Sequence, residues 1–356
     1  LIVIRSACAA LILLLVGMTA NVAAPAWACG CGAYIPDTAG PAVVNERALL
    51  AWDGHREDIL MSLNVRGRSS TAAWIMPVPT TAGVTLAEAG MFDELNRLTA
   101  PRIEYRDSWW PTFGWLHGFA GADGLVSAAA PGHHVDVLSN QRIGPFDVTR
   151  LAADDPAALS TWLATRGFAQ PSGLDRNLAP YLADGWQVVA IRLVPDARGA
   201  ALTGVLQPLR LSFDSDRAVY PMRLSQSAKT PQSVDLFVLA DHRMDPTSVP
   251  VPGDDPTLQF AGHLDPDAVS GDLAPFVGDG SFLTRWTNEI GTPASISGDY
   301  VFGMAADDAA YQQVIYRVRD RGDLTGLALV ALVPILGAAV TILIAVRVLR
   351  SRRQAR

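Results

Sequence analysis

The stretch Ala48 to Gly67, ALLAWDGHREDILMSLNVRG, reads as two apolar strands joined at Asp53-Gly54, a favoured hairpin signal. TAAWIMPVP continues as a third strand that stops at Pro77 and Pro79, since proline cannot donate to a central ladder. Thr85-Leu86-Ala87-Glu88 has capping-box spacing and predicts a helix running to about Leu98. Met91, Leu95 and Leu98 then fall on its buried face. Val135–Val137 and Phe146–Val148 read as short strands. A helix follows in PAALSTWLATRG: Asp155 near its N-cap, Pro156 in its first turn, Gly167 just past its end, and Leu159, Trp162 and Leu163 as the apolar stripe. A second short helix, NLAPYLADG, ends at Gly185.

From Trp186 onward the pattern changes to strands: WQVVAIRLV, PLRLSF, AVYPMRL and SVDLFVLA. Leu209, Leu211 and Phe213 alternate cleanly with polar residues, as in a sheet with one solvated face. Asp245 to Gly280 reads as long acidic, proline-containing loops. FLTRWTNEI reads as a helix with Phe282, Leu283, Trp286 and Ile290 inward, and DYVFGMA and QQVIYRV as final strands. No fixed-period repeat is present. The expected fold class is α+β: antiparallel-rich mixed sheets, a few helices, and one C-terminal transmembrane helix.

That last helix rests on the end of the chain. No charged side chain occurs from Leu324 to Val346, and about 20 apolar residues suffice to cross a bilayer. Arg347, Arg350, Arg352, Arg353 and Arg356 follow with no acid among them, which places the tail (347–356) in the cytoplasm. At the other end, Arg5 precedes the apolar run Ala7 to Met18, and small residues end in Ala26-Trp27-Ala28. Residues 1–28 therefore read as a secretory signal. Residues 29–323 are expected outside the cytoplasm, as one region or as two subdomains near 29–105 and 135–320.

Charge divides the chain in the same way. The region 29–323 holds all 35 acidic side chains against 22 basic ones, a net of −13. A nucleic-acid partner needs a basic face, so that class is excluded. Lys229 is the single lysine beside 27 arginines, a bias that says nothing about mechanism.

WIMPVP, MFDELNRLTAPR, IGPFDVTRLAADDPAALSTWLATRGF, YLADGWQVVAIRL, PLRLSF and VYPMRLS together resemble an uncharacterised family of bacterial, mainly actinobacterial, exported proteins, domain of unknown function 2330. The resemblance is spread over most of residues 29 to 320. It implies export and a C-terminal anchor, and it carries no activity and no catalytic residue. Its members begin the mature chain with a cysteine pair of varying spacing; here the pair is the tight Cys29-Gly30-Cys31.

Four readings of that pair stand side by side. Outside the cytoplasm a local disulfide is expected, and a bent Cys-Gly-Cys turn brings the Cα atoms near the upper end of the bridgeable range. Lipid attachment at Cys29 would want a Leu-like residue where Ala26 stands. A metal would need two further ligands, and none is near in sequence. The fourth reading is a working redox thiol pair.

Trp109, Trp110, Phe113 and Trp115, interleaved with Pro111, Gly114 and Gly118, form a candidate binding surface. Such aromatics stack on sugars, meet partner proteins, lie in the outer leaflet, or fold back over a sheet. His133-His134 lacks the spacing of a helical zinc motif, and Asp241-His242-Arg243 reads as a surface ion pair. Asp265, Asp267 and Asp272 resemble a calcium-loop fragment whose spacing fails at Val269. No metal or other cofactor is expected. The function read from the sequence is a membrane-anchored, non-catalytic binding or structural module of the cell envelope. Its expected partners are membrane lipid through 324–346 and an envelope protein or glycan. The alternative is an extracytoplasmic thiol-redox or other enzyme using Cys29 and Cys31.

Overall fold

The computed structural model describes residues 32–38, 42–88, 90–113, 147–151, 156–195 and 200–354. In chain order the elements are β1 (Ala33–Pro36), β2 (Ala42–Trp52), β3 (Arg56–Ser69), β4 (Ala72–Val78), β5 (Gly83–Leu86), α1 (Gly90–Leu98), β6 (Arg102–Ser108), β7 (Asp147–Leu151), α2 (Pro156–Thr165) and α3 (Leu174–Ala183). Then come β8 (Gln187–Leu193), β9 (Leu202–Val205), β10 (Leu209–Asp214), β11 (Ala218–Tyr220), β12 (Gln232–Ala240), β13 (Met244–Ser248), β14 (Thr257–His263), β15 (Phe282–Ile290), β16 (Tyr300–Met304), β17 (Tyr311–Gln312), β18 (Val314–Asp320) and α4 (Gly322–Gln354). The described residues fall into two compact units, one within 1–100 and 140–313, the other within 101–139 and 314–356.

The first unit is organised by period-2 alternation. A nine-stranded sheet runs β17-β14-β15-β12-β2-β3-β10-β5, with β9 pairing the far end of β3. Every pairing in it is antiparallel except β12 with β2. A four-stranded antiparallel sheet runs β1-β4-β8-β7, and β11-β16-β13 form a third. Trp74, Met76 and Val78 of β4 join Leu50, Ile59, Met61, Leu211, Leu236 and Val238 in one core. Ala73 and Ile75, one step out of phase on β4, meet Leu159, Trp162 and Leu163 of α2 and Leu178 and Tyr181 of α3 in a second. On the larger sheet, Leu49, Leu60 and Phe237 face a third core with Met91, Phe92 and Leu95 of α1. Successive side chains of one strand thus serve two cores, and strands buried on both faces lose the polar half of the pattern.

The structure departs from the sequence reading at several points. FLTRWTNEI is a strand, β15, and not a helix. It lies between β12 and β14, and Phe282, Trp286 and Ile290 share one of its faces with the polar Thr284 and Asn288 between them, a spacing of four that mimics a helical stripe. Thr85 is not a helix cap. It pairs with Arg210 inside β5, and the helix starts at Gly90. The backbone N–H of Glu88 donates instead to Asp272 Oδ2 at 2.9 Å. Pro77 does lie within a strand that has neighbours on both sides, paired with Val188 of β8. β1 covers β4 only from Ala72 to Ile75, which leaves one edge open at the proline. The stretch read as loops from Asp245 to Gly280 contains most of β13 and all of β14, and AVYPMRL is strand only to Tyr220. The reading of 135–137 lies outside the described residues.

The hairpin at Asp53-Gly54 joins β2 to β3 as expected. Gly54 takes φ 96°, the left-handed region that favours glycine. Asp53 Oδ1 accepts from the N–H of His55 at 3.0 Å and of Arg56 at 2.7 Å. Asp53→Ala is expected to cost about 1 kcal/mol, read as a shift in the urea midpoint with an unchanged slope.

The second unit pairs β6 with β18 in parallel, Arg102 opposite Val314 through Ser108 opposite Asp320. α4 follows β18 directly. Its Leu324–Val346 segment carries no charge and, at 1.5 Å per residue, measures about 35 Å, enough for the hydrocarbon layer.

Candidate functional site

A parallel ribbon sends both strands out of the same end. The chain after Ser108 and the chain after Asp320 therefore leave side by side, which sets Trp109–Phe113 against the start of α4. Four hydrogen bonds fix the junction. Arg321 N–H donates to the Ser108 carbonyl at 2.8 Å, and Thr112 N–H to the Gly322 carbonyl at 3.0 Å. Thr112 Oγ1 donates to Asp323 Oδ1 at 2.9 Å. Thr325 Oγ1 donates to the Trp109 carbonyl at 2.9 Å. Gly322 N–H is taken up by Asp320 Oδ1 at 2.7 Å, so an otherwise orphaned amide at the helix start has an acceptor.

Two glycines one turn apart make this approach sterically feasible. A methyl group at Gly322 would strike the Trp110 carbonyl oxygen, and one at Gly326 the Thr112 carbonyl oxygen. The backbone of 109–113 thus lies on the helix surface; Trp109 is 55% exposed and Trp110 81%, while the Phe113 ring, 40% exposed, lays one edge against Gly326. The ribbon beside it is held by cation–π stacks, Arg106 3.6 Å from the Tyr316 ring centre and Arg319 4.5 Å from that of Tyr105. At the other end of the uncharged segment, Arg347, Arg350, Arg352 and Arg353 are exposed on the last turns of α4.

Of the aromatic residues singled out by sequence, Trp109, Trp110 and Phe113 come together at the helix root, and Trp115 lies outside the described residues. Cys29, Cys31, His133 and His134 also lie outside them. His242 Nδ1 meets Asp308 Oδ2 at 2.9 Å, an exposed pair in which the Asp308 hydrogen bond raises the imidazole pKa. Asp265 accepts from the Asp267 N–H at 3.0 Å, and Asp272 is engaged by Glu88 as above, so the three aspartates do not converge on a cation. Among the described residues no group of three or more His, Cys, Asp or Glu side chains is placed to hold a metal. A cleft of about 500 Å³ beside α1 is lined by Glu88, Asp93, Glu94, Arg97 and Asp272. Glu94 there accepts from the Ser270 N–H and hydroxyl at 2.9 and 3.1 Å, binding a loop rather than presenting a free base.

Sequence reasoning missed Thr112, Gly322, Gly326 and Thr325, the residues that make the junction. The two halves lie more than 200 residues apart, and the long-range register that joins them is written only as two short runs of mixed charge and aromatics.

Taken together these features define a β-rich body, and in a separate unit a ribbon that runs into a helix long and apolar enough to cross a membrane. The chain belongs to the family described as an uncharacterized protein conserved in bacteria (DUF2330), whose profile matches residues 25–303. The matched segment ends before β17, β18 and α4. No curated protein matches the chain. Among solved structures, baculovirus P35 aligns over 77% of this chain and 98% of its own at 7% identity, with a TM-score of 0.33, too low to carry an argument. None of these comparisons supports thiol-redox chemistry at Cys29 and Cys31.

Proposed function

We propose that the protein is a non-catalytic module of the bacterial cell envelope, held in the cell membrane by α4 with its body outside and its C-terminus in the cytoplasm. The observation that carries this is one continuous helix whose uncharged Leu324–Val346 segment matches the bilayer and is followed at once by arginines. Arginine-rich flanks stay on the cytoplasmic side, which supports the orientation. The acidic composition of 29–323 suits a body that remains in solution beside the membrane rather than one that binds nucleic acid. In the cleft beside α1, Asp272 and Glu94 accept from backbone amides and a hydroxyl that hold neighbouring loops, which supports a structural role for those two carboxylates.

Protease added to intact cells tests the reading. The expected result is digestion of the body, with a tag placed after Arg353 surviving on a short membrane-embedded fragment. A protected body with an accessible tag would reverse the orientation, and release of intact protein by alkaline carbonate would remove the anchor altogether.

A further inference from the structure

We propose that Trp109, Trp110 and Phe113 form a collar in the lipid headgroup layer at the point where α4 enters the membrane. This rests on the reading of α4 as the anchor and adds a lipid-contacting site to it.

The first argument is exposure. A tryptophan is seldom left largely in water, because its ring forfeits more burial than any other side chain. Here two neighbouring tryptophans and a phenylalanine are all substantially exposed, within one five-residue run. The second argument is position. Thr325 holds the Trp109 carbonyl and Gly322 holds the Thr112 amide, so the run is fixed to the first turn of the helix. That turn contains Leu324, the first residue of the uncharged segment. The rings therefore sit within about one helical pitch, ~5 Å, of where the hydrocarbon layer begins. Indole side chains favour that depth, with an apolar ring in the acyl boundary and an N–H able to reach headgroup oxygens.

The third argument is the way the run is attached. A flexible loop would let the rings seek burial elsewhere. Instead Gly322 and Gly326 admit the backbone so closely that 109–113 cannot slide along the helix without a collision. The two indoles are left facing outward by the same contacts, and the Phe113 ring rests beside them with one edge on Gly326. A helix with such a collar enters the bilayer at a defined depth. The β6–β18 ribbon, marginal as an isolated two-stranded pair, gains a surface to rest against.

The test uses the full chain reconstituted in vesicles of phosphatidylethanolamine and phosphatidylglycerol containing a lipid brominated close to the glycerol. Bromine quenches indoles at interface depth. Quenching of the wild-type emission is expected, and the quenched fraction should fall at least about twofold in the W109F/W110F variant, since interface tryptophans are what this probe reads. The variant keeps every backbone tie, and an unchanged thermal transition of the body confirms its fold. Equal fractional quenching in the two proteins while both resist carbonate extraction overturns the collar and leaves the anchor standing. Extraction of the wild type by carbonate overturns the anchor reading itself. A soluble glycan or protein that shields Trp109 and Trp110 from iodide in vesicles lacking any bromine quenching overturns the lipid assignment in favour of that partner.

Discussion

Asp299→Ala is expected to destabilise the first unit by about 3–5 kcal/mol, the usual cost of leaving buried partners of a charge unpaired. Asp299 sits just before β16 and is the common acceptor of four donors. Tyr181 of α3 donates its hydroxyl to Oδ1. The Met222 N–H donates to the same oxygen at 2.6 Å and the Arg223 N–H at 3.3 Å. Arg223 Nε reaches Oδ2 at 3.2 Å. One carboxylate therefore links the helical layer, the turn after β11 and the start of β16. Burial, and then the Asp299 charge, push the Tyr181 phenol well above its ordinary pKa, which marks how dry the group is. Alanine strands a buried hydroxyl and a buried amide together with the guanidinium. Asp299→Asn keeps one acceptor oxygen for the three donors on Oδ1 but loses the charge and sets an NH2 group against Arg223 Nε in place of Oδ2, so it should cost less than alanine, about 1–2 kcal/mol, and Tyr181→Phe about 1 kcal/mol. Chemical denaturation of the three variants checks the order. An alanine variant within about 1 kcal/mol of wild type would mean that water replaces the carboxylate and that the network is not a structural junction.

How much of this was legible in the sequence varies by the range of the interaction. The hairpin was, because Asp53-Gly54 carries its own turn chemistry and needs no distant partner. The helix at Pro156 was, with Leu159, Trp162 and Leu163 all buried where its period put them. Leu209, Leu211 and Phe213 alternate in β10 as read. β15 failed because Thr284 and Asn288 interrupt the strand face that carries Phe282, Trp286 and Ile290, leaving an apolar spacing of four that reads as a helix. Thr85 failed because its capping spacing is satisfied equally well by a strand that β10 happens to recruit. The aromatic run was visible as composition, and its location was not. Only the pairing of residues 102–108 with 314–320 delivers Trp109 to Gly322, and nothing local encodes that register. Asp299 was missed for the same reason, since its donors come from positions 181, 222 and 223.

Glu57→Gln is expected to stabilise the protein at pH 8 and to make almost no difference near pH 4.5. Glu57 begins the core-facing part of β3 and is fully buried. Its two carboxyl oxygens share one donor, the Val219 N–H, at 3.0 and 3.2 Å. Among the described residues no cation pairs with it. Burial is the largest influence on this carboxyl and drives its pKa up; the Val219 amide opposes that and the nearby Asp58 charge adds to it, leaving it well above the ordinary 4.5. The folded state thus holds a neutral carboxylic acid at a pH where the unfolded chain has released the proton. Its contribution is complete below about pH 4.5. It declines by about 1.4 kcal/mol per pH unit as pH rises toward the folded pKa, because the unfolded state alone gains by ionising. Glutamine offers the same acceptor to Val219 and cannot ionise, so it removes this slope. Other carboxylates act in the opposite sense: the His55 and Arg56 amides hold Asp53 low, and the hydrogen bond from His242 holds Asp308 low, so their contributions fade on acidification. They are common to both proteins and cancel in the difference. Melting both proteins in parallel from pH 4.5 to 8 isolates the Glu57 contribution as a gap that widens with pH. Curves that stay parallel across that range would show that Glu57 ionises inside the fold at no cost, and that its burial against Val219 is not the dry environment described above.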